Sequence, residues 1–267
     1  MVITDKRKGY YLSRVVTDKK IQPVVCIADC HMGHKNFNKA KLIEVIQWIQ
    51  DHDAIWFGGG DLIECSNRSS VGAGWAEQLI DPGMQMEEMV EYLKPIKDNC
   101  VGLVGGNHEE RAYKDTGINP TQIMANMLQV PSAGDELFLI VANDREQDGR
   151  GKAYSIYGAH TKTTNKNSGL AFNGMSNNIG SWMNCDVICK AHGHDMGLSP
   201  PSVRVSIDKK NMAVTENEMY YWLVGHYLDR PDSYISKRSA APKPIGTTAI
   251  YLDMDINAKK RVTHERI

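Results

Sequence analysis

Residues 22–31 read Gln22-Pro-Val-Val-Cys-Ile-Ala-Asp-Cys-His31, a short apolar run that ends in side chains able to bind a metal ion. A run of this length that is rich in β-branched residues is typical of a buried strand. Apolar residues then recur at helical spacing between Lys41 and Ile49. The order predicts a strand followed directly by a helix.

The same alternation runs through the first half of the chain. Ala54–Phe57 and Cys100–Val104 are strand candidates, and Glu87–Ile96 between them is a helix candidate. After a helical stretch at Thr121–Leu128, the second half is predicted to be rich in strands. These are Glu136–Val141, Lys152–Tyr157, Cys185–Lys190, Val203–Ile207, Met212–Thr215, Met219–Leu223 and Thr247–Leu252. Strands alternating with helices favour an α/β sheet.

The composition indicates a folded protein without a strong charge bias. The 267 residues include 31 Lys plus Arg and 32 Asp plus Glu, so the net charge of −1 lacks the positive excess of many nucleic-acid binders. We divide the chain into a basic leader, residues 1–20, and a single domain, residues 21–267. No apolar run approaches the roughly 20 residues that cross a bilayer. With no secretory-signal pattern, we expect a cytoplasmic protein without membrane contact.

Other polar residues receive ordinary interpretations. The six cysteines lie mostly inside apolar runs, which predicts reduced core thiols. The leader carries six positive and two negative residues, and it either forms a solvated tail or edge strand or contacts a nucleic-acid backbone. Histidines without a partner pattern are interpreted as ordinary polar residues, and these are His52, His226 and His264.

Nearly every strand candidate of the alternating core ends at residues that bind metals. The ends are Asp29-Cys-His31, Gly60-Asp61, Gly106-Asn107-His108-Glu109, His160 and His192-Gly-His194. Ligands of α/β sheets bind in the loops beyond the carboxyl ends of strands. Residues i and i+2 leaving a strand point to the same side, with Cα atoms about 7 Å apart. We therefore expect the Asp-x-His pair and the His-x-His pair to face one metal centre.

These five blocks, in this order, resemble the calcineurin-like metallophosphoesterases. The resemblance spans residues 29–194, about two-thirds of the chain, and the ordered combination is far more specific than any single block. It implies an α/β (α+β) fold, a four-layer αββα sandwich of two mixed β-sheets flanked by helices. It also implies two divalent metal ions at the strand ends.

By this resemblance, seven side chains hold the two ions. Asp29, His31 and His194 bind one ion, Asn107, His160 and His192 bind the other, and Asp61 bridges both. A set of oxygen and imidazole donors without thiolate suits Mn, Fe or Zn better than Ca or Cu(I). We expect Mn, with Fe, Zn or Ni as alternatives.

The chain departs from the family pattern at three places. Ala191 stands where Gly often precedes the final His-x-His, and Glu64 stands where Asp often follows the bridging aspartate by three residues. Neither change removes a ligand. The Asp-Arg-Gly block of the serine/threonine protein phosphatases is replaced after Asp61 by Leu62-Ile-Glu-Cys65. This third departure disfavours a protein phosphatase.

Three further residues are expected at the substrate. In the family, the histidine that matches His108 faces the substrate and stabilises or protonates the departing oxygen, and we assign that catalytic role to His108. Arg111 is a candidate phosphate contact, with an ordinary surface charge as an equally good interpretation. His34 is a candidate substrate contact on the same rim, with an ordinary loop residue as the alternative.

The expected reaction is hydrolysis of a phosphate ester. Two ions about 3.5 to 4 Å apart clamp a phosphoryl oxygen and supply a metal-bridging hydroxide for in-line attack. We favour a phosphodiester, a nucleotide or a nucleic acid such as DNA, because no large cap domain is evident and the leader is basic. The alternatives are a phosphomonoesterase and, less favoured, a non-catalytic binding scaffold of the same fold. A homo-oligomer is compatible with the sequence.

Overall fold

The chain forms a mixed α/β structure dominated by strands. A computed structural model describes residues 2–7, 9–67, 70, 78–143, 151–161, 167–209, 211–229 and 242–267. The helices within these ranges are α1 Lys39–His52, α2 Pro82–Leu93, α3 Asn107–Thr116, α4 Pro120–Leu128 and α5 Ser168–Asn178, with a 3-10 turn at Lys94–Asn99. The strands are β1 Val2–Arg7, β2 Tyr10–Thr17, β3 Ile21–Ile27, β4 Ile55–Gly59, β5 Cys100–Val104, β6 Ser132–Gly134, β7 Glu136–Asn143, β8 Ala153–His160, β9 Val187–Ala191, β10 Met196–Leu198, β11 Ser202–Asp208, β12 Ala213–His226, β13 Gly246–Asp253 and β14 Val262–Arg266. None of the described helices is long and apolar enough to cross a lipid bilayer.

The strands follow one hydrogen-bonded path, β1-β2-β7-β8-β9-β12-β13-β3-β4-β5-β6, with β10 and β11 on β12 and β14 on β13. Its two halves meet where Gly225 and His226 of β12 pair with Thr247 and Gly246 of β13. The described residues thus form one continuous, barrel-like sheet rather than the two separate sheets that we predicted. The junction requires glycine, since a Cβ on Gly225 would lie 2.3 Å from the Gly246 carbonyl oxygen.

From Pro23 to Ile27 the strand β3 is apolar and buried, because its two faces pack into different cores. Val24 and Cys26 face the cluster between the two halves of the sheet, where the rings of Phe57 and Trp222 meet edge to face at 5.9 Å. Val25 belongs to a second cluster, which packs α1, α2 and α4 against β3, β4 and β5. A third cluster packs α5 against β8, β9 and β12. Burial on both faces explains the absence of apolar/polar alternation in this strand.

Two helices were not predicted from the sequence. The helix α3 begins inside the block Gly106–Glu109, which we interpreted as a ligand loop. The helix α5 lies in a segment rich in Gly, Asn and Ser, and its buried residues are Ala171 and Met175, too few for a clear helical pattern. The predicted strands Met212–Thr215 and Met219–Leu223 are instead parts of the single strand β12.

Part of the basic leader belongs to the sheet. The strand β2 pairs in parallel with β7, and Tyr11, Ser13 and Val15 are buried. The hydroxyl groups of Tyr11 and Ser13 both donate to the Val101 carbonyl oxygen, at 3.0 and 2.9 Å. The division at residue 20 is therefore not a boundary of the fold. At the end of the strand path, β1 is an edge strand.

Replacing Tyr11 by Ala is expected to lower the free energy of unfolding by about 3 to 5 kcal/mol, because a cavity opens beneath β2. Tyr10 offers a matched control, since it is 56% exposed against 6% for Tyr11 and contacts the Phe138 ring edge. Tyr10→Ala should cost about 1 kcal/mol. Urea denaturation followed by circular dichroism measures both losses. Equal, small losses would show that β2 is not part of the folded core.

Candidate metal centre

The strand ends that carry the predicted ligands converge. The strands β3, β4 and β5 are parallel neighbours, as are β8 and β9. Asp29, Asp61 and Asn107 follow the first three strands, His160 ends β8, and His192 and His194 follow β9. Donor atoms lie within 4.8 Å of one another in three groups among the described residues. Two consist of predicted ligands, which are Asp29, Asp61, His160 and His192, and Asp29, His31 and His194, and the third is His31, Glu64 and His108. With Asn107 beside His160, the structure brings all seven side chains together.

A left-handed backbone, and not strand alternation as we predicted, positions the two i, i+2 pairs. The strands β3 and β9 end at Ile27 and Ala191, before either pair begins. Five of the seven residues have a positive backbone φ, namely Asp29 at 53°, His31 at 52°, Asp61 at 50°, His192 at 77° and His194 at 56°. Residues held in this region cost of order 1 to 3 kcal/mol each, and they persist where the surrounding structure fixes them.

Hydrogen bonds between neighbouring loops fix this backbone. The N–H of Asp29 donates to the Gly60 carbonyl oxygen, and the N–H of His31 donates to that of Asp61, both at 3.0 Å. The N–H of His192 donates to Asp29 Oδ2 at 2.8 Å. The loops after β3, β4 and β9 are thereby joined to one another around Asp29.

The ring of His160 is oriented with its Nε2 toward two oxygen donors. Its Nδ1 lies 2.8 Å from the Gly59 carbonyl oxygen and must donate to it, since a carbonyl only accepts. Its Nε2 lies 3.1 Å from Asp61 Oδ2 and 3.1 Å from Asn107 Oδ1. A backbone carbonyl that fixes the histidine tautomer in this way is typical of metal-binding sites.

Around Asp29 and His194, three buried atoms have no hydrogen-bond partner among the described residues. They are Asp29 Oδ1, His31 Nε2 and, on the ring stacked on His194, His226 Nε2. His31 Nδ1 donates to Glu64 Oε2 at 3.0 Å, which leaves Nε2 as the ring's lone-pair nitrogen. His194 Nε2 lies 3.3 Å from Asp29 Oδ1. Unpaired buried polar atoms are costly, and a cation between Asp29 Oδ1 and His31 Nε2 would satisfy both.

The donor chemistry therefore fits divalent metal ions. The donors are carboxylate oxygens, an amide oxygen and imidazole nitrogens. The side chain of Cys30, between Asp29 and His31, is instead buried in the apolar cluster that packs α1, α2 and α4 against the sheet. This set suits Mn, Fe or Zn. The two donor groups share Asp29, whereas the resemblance assigns the bridging position to Asp61.

His108 lies beside His31 and Glu64. Its Nδ1 donates to the Glu64 carbonyl oxygen at 2.5 Å, and its ring centroid is 4.6 Å from that of His31. The backbone N–H of His108 donates to Asp61 Oδ1 at 2.8 Å. Because Nδ1 is engaged, Nε2 is the ring atom left to exchange a proton or to contact a substrate oxygen.

The other two candidate substrate contacts lie on different elements. Arg111 is one turn beyond His108 on α3, and its guanidinium donates to Ser70 Oγ at 2.9 Å. His34 lies in the loop after β3, where its Nδ1 accepts from the Asn36 N–H at 3.0 Å. Among the described residues, His34 is outside the groups of close donor atoms. Both substrate roles stay predictions.

Sequence reasoning gave no role to three residues of the site, which are Glu64, His226 and Glu109. Glu64 orients His31, and its position three residues after Asp61 was a usable signal. His226, interpreted above as an ordinary polar residue, is buried and stacks on His194 with ring centroids 4.8 Å apart. Burial lowers the pKa of His226 to about 3, so the ring is neutral. No spacing in the sequence indicates this contact, because His226 comes from the end of β12.

Glu109 joins the loop after β4 to the start of α3. Its buried carboxylate accepts four backbone N–H groups, from Asp61 at 3.0 Å, Leu62 at 2.8 Å, Ile63 at 3.3 Å and Gly106 at 2.9 Å. The sequence placed Glu109 in a motif block without a role. Its hydrogen bonds hold Asp61 in a fixed relation to Asn107 and His108.

The carboxylates and histidines of the site shift one another's pKa values. Burial opposes the charge on Asp29, but His194 outweighs it and lowers the pKa of Asp29 to about 2. Burial also opposes protonation of His160, but Asp61 outweighs it and raises the pKa of His160 to about 10. A cation that binds His160 must displace this proton. Metal uptake is therefore coupled to proton release and strengthens as pH rises.

Comparison with known proteins gives a family match and structures of low similarity. A family model described as calcineurin-like phosphoesterase matches residues 22–229. Vacuolar Protein Sorting 29 from Cryptosporidium parvum is 14% identical over 93% of this chain and 99% of its own, with a TM-score of 0.43. A conserved protein from Streptococcus pneumoniae, described as a predicted phosphoesterase, is 13% identical over 92% of this chain and 90% of its own, with a TM-score of 0.35. No curated protein matches the chain.

Replacing Glu109 by Ala is expected to lower the free energy of unfolding by about 3 to 5 kcal/mol. Four buried amides lose their acceptor at about 1 to 3 kcal/mol each, partly offset by relief of the repulsion between Glu109 and Asp61. Its neighbour Glu110 is a matched control, since it forms a surface ion pair with Lys114. Glu110→Ala should cost below about 1 kcal/mol. Thermal and urea unfolding measure both, and equal losses would contradict the role given to Glu109.

Proposed function

Because the chain belongs to the calcineurin-like phosphoesterase family, we propose that it hydrolyses phosphodiesters at a pair of divalent metal ions, with a nucleotide or nucleic acid as substrate. Family membership by itself supports hydrolysis of phosphate esters in general. The finer proposal is carried by the two adjacent groups of buried and half-buried donors, in which the buried atoms Asp29 Oδ1 and His31 Nε2 have no hydrogen-bond partner within the described part of the chain.

Seven side chains would hold the ions. Asp29, His31 and His194 would bind one, Asn107, His160 and His192 the other, and Asp61 would contact both. Two such ions polarise the phosphoryl group and lower the pKa of water toward neutrality. We propose Mn as the native metal on the donor chemistry, and a cytoplasmic location because all six cysteines are free thiols.

The protein's own contribution to the chemistry is positioning and proton transfer. Glu64 accepts from both His31 Nδ1 and, through its carbonyl oxygen, His108 Nδ1. One residue thus orients a proposed ligand and the proposed general acid together. Burial lowers the pKa of His108, but the charges of Asp61 and Glu64 outweigh it and raise that pKa. The protonated Nε2 would donate to the departing oxygen.

Room beside the donors favours a diester over a monoester. A cavity of about 360 Å³ lies next to Asn107 and His160. A phosphodiester carries a second organic group on phosphorus, and that group needs space beside the metal pair. A phosphomonoester has no such group.

The substrate class is tested with the Mn-loaded protein on two chromogenic esters. We expect kcat/KM to be higher for bis-p-nitrophenyl phosphate, a diester, than for p-nitrophenyl phosphate, a monoester. A preference for the monoester would replace the proposal with a phosphomonoesterase. Binding of Mn without turnover of either ester would indicate a scaffold that has lost catalysis.

Two substitutions separate metal binding from proton transfer. Asp61→Asn should abolish turnover and weaken Mn binding, since a charged donor is lost. His108→Ala should keep its Mn and lose about 10²- to 10⁴-fold in kcat, the usual contribution of a general acid. Metal content by mass spectrometry and steady-state kinetics give both readouts, with His52→Ala, on the exposed end of α1, as the control. Loss of Mn from His108→Ala would contradict its assigned role.

A further inference from the structure

The cavity beside Asn107 and His160, called here the Asn107 cavity, has the size of a small-molecule site. Its volume of about 360 Å³ falls within the roughly 300 to 1,000 Å³ of ligand pockets. Tyr113, Thr121 and Asp135 line it together with Asn107 and His160. It therefore adjoins one of the two proposed ions directly.

The helix α3 separates this cavity from the proposed general acid. Asn107, Glu110 and Tyr113, at positions i, i+3 and i+6, line the cavity. His108 and Arg111, at i and i+3 of the adjacent face, do not line it. Side chains three apart share one helix face, so the two sets point in different directions. A group in the cavity would therefore lie away from the departing oxygen.

The lining offers an aromatic ring and polar groups that suit an uncharged ligand. The residue Tyr113 is 52% exposed, so its ring is available for stacking. Thr121, only 4% exposed, contributes a hydroxyl group at the inner wall. Asn119 caps α4 through its Oδ1, which accepts from the Gln122 N–H at 3.1 Å, and this leaves its amide Nδ2 as a donor.

The charges at the cavity oppose a second anionic group. Three acidic residues line the cavity, and no Lys or Arg is found among the described lining residues. Glu109 is buried and accepts four backbone N–H groups, whereas Glu110 and Asp135 lie on the rim. Glu110 is paired with Lys114, so Asp135 is the main negative charge. A further phosphate placed here would meet like charge, whereas a neutral ring with hydroxyl groups would not.

We infer that the Asn107 cavity seats the organic group that stays on phosphorus in a phosphodiester substrate, and that this group is uncharged and carries an aromatic ring, as a nucleoside does. The inference rests on the proposed function, which places the departing oxygen next to His108. It goes further by naming which end of the substrate the protein recognises. The aromatic ring stacks on Tyr113, and the sugar hydroxyl groups meet Thr121 and Asp135.

The test uses two diesters that release the same p-nitrophenolate and differ only in the retained group. One is the p-nitrophenyl ester of thymidine 5′-phosphate, and the other is methyl p-nitrophenyl phosphate. With Mn-loaded protein, kcat/KM should be higher for the nucleoside ester. Tyr113→Ala should reduce the preference for the nucleoside ester by about 5- to 150-fold, the value of one base stacked on an aromatic ring. Tyr113→Phe should keep it, and so should Met127→Ala, an exposed residue of α4 outside the lining.

A binding measurement keeps this inference separate from the proposed function. By calorimetry, Mn-loaded protein should bind thymidine 5′-monophosphate more tightly than methyl phosphate, and Tyr113→Ala should remove the difference. Turnover of both diesters with no preference, or a preference unchanged by Tyr113→Ala, overturns the inference and leaves the phosphodiesterase proposal standing. Turnover of neither diester overturns that proposal, and equal binding of the two phosphates would then overturn the cavity assignment as well.

Discussion

One buried carboxylate, that of Glu109, accepts the backbone N–H groups of Asp61, Leu62, Ile63 and Gly106. It ties the loop after β4 to the first turn of α3, and the N–H of His108 then donates to Asp61 Oδ1. Burial and the nearby Asp61 raise the pKa of Glu109 to about 7, against the four amide donors that favour its charged form. Burying the Glu109 carboxylate costs free energy, and its hydrogen bonds in return fix the position of Asp61 relative to the start of α3.

Hydrogen bonds between neighbouring loops hold the strained backbone at the site. Left-handed turns at Asp29, Asp61 and His194 aim donors inward from strands that end two or three residues earlier. Such conformations hold only when neighbouring loops fix them, as the bonds from Asp29 to Gly60 and from His192 to Asp29 do. The result is a rigid set of oxygen and imidazole donors, with α3 dividing the space above them into a cationic side at Arg111 and an acidic side at the Asn107 cavity.

The sequence located the donor side chains because strand ends are local features, and parallel strands bring such ends together whatever the distance along the chain. It misjudged what depends on distant contacts. The two halves of the sheet are joined by a two-residue pairing between Gly225–His226 and Gly246–Thr247. No local sequence pattern predicts this pairing. His226 reaches His194 only through β12. The left-handed turns were missed because Asp and His adopt positive φ far less often than glycine does, even though they are enriched there among other residues. The helix α3 was not predicted because its first residues, Asn107–Glu109, were interpreted as part of a ligand loop.

The central claim is that Asp61 contacts two metal ions, one on each side. Crystals grown with Mn, measured at the Mn absorption edge, locate the ions directly by anomalous scattering. The account predicts two peaks within bonding distance of Asp61, one also touching His31 and His194 and the other also touching Asn107 and His160. A single peak, or two peaks joined by Asp29 while Asp61 touches one of them or neither, would contradict it.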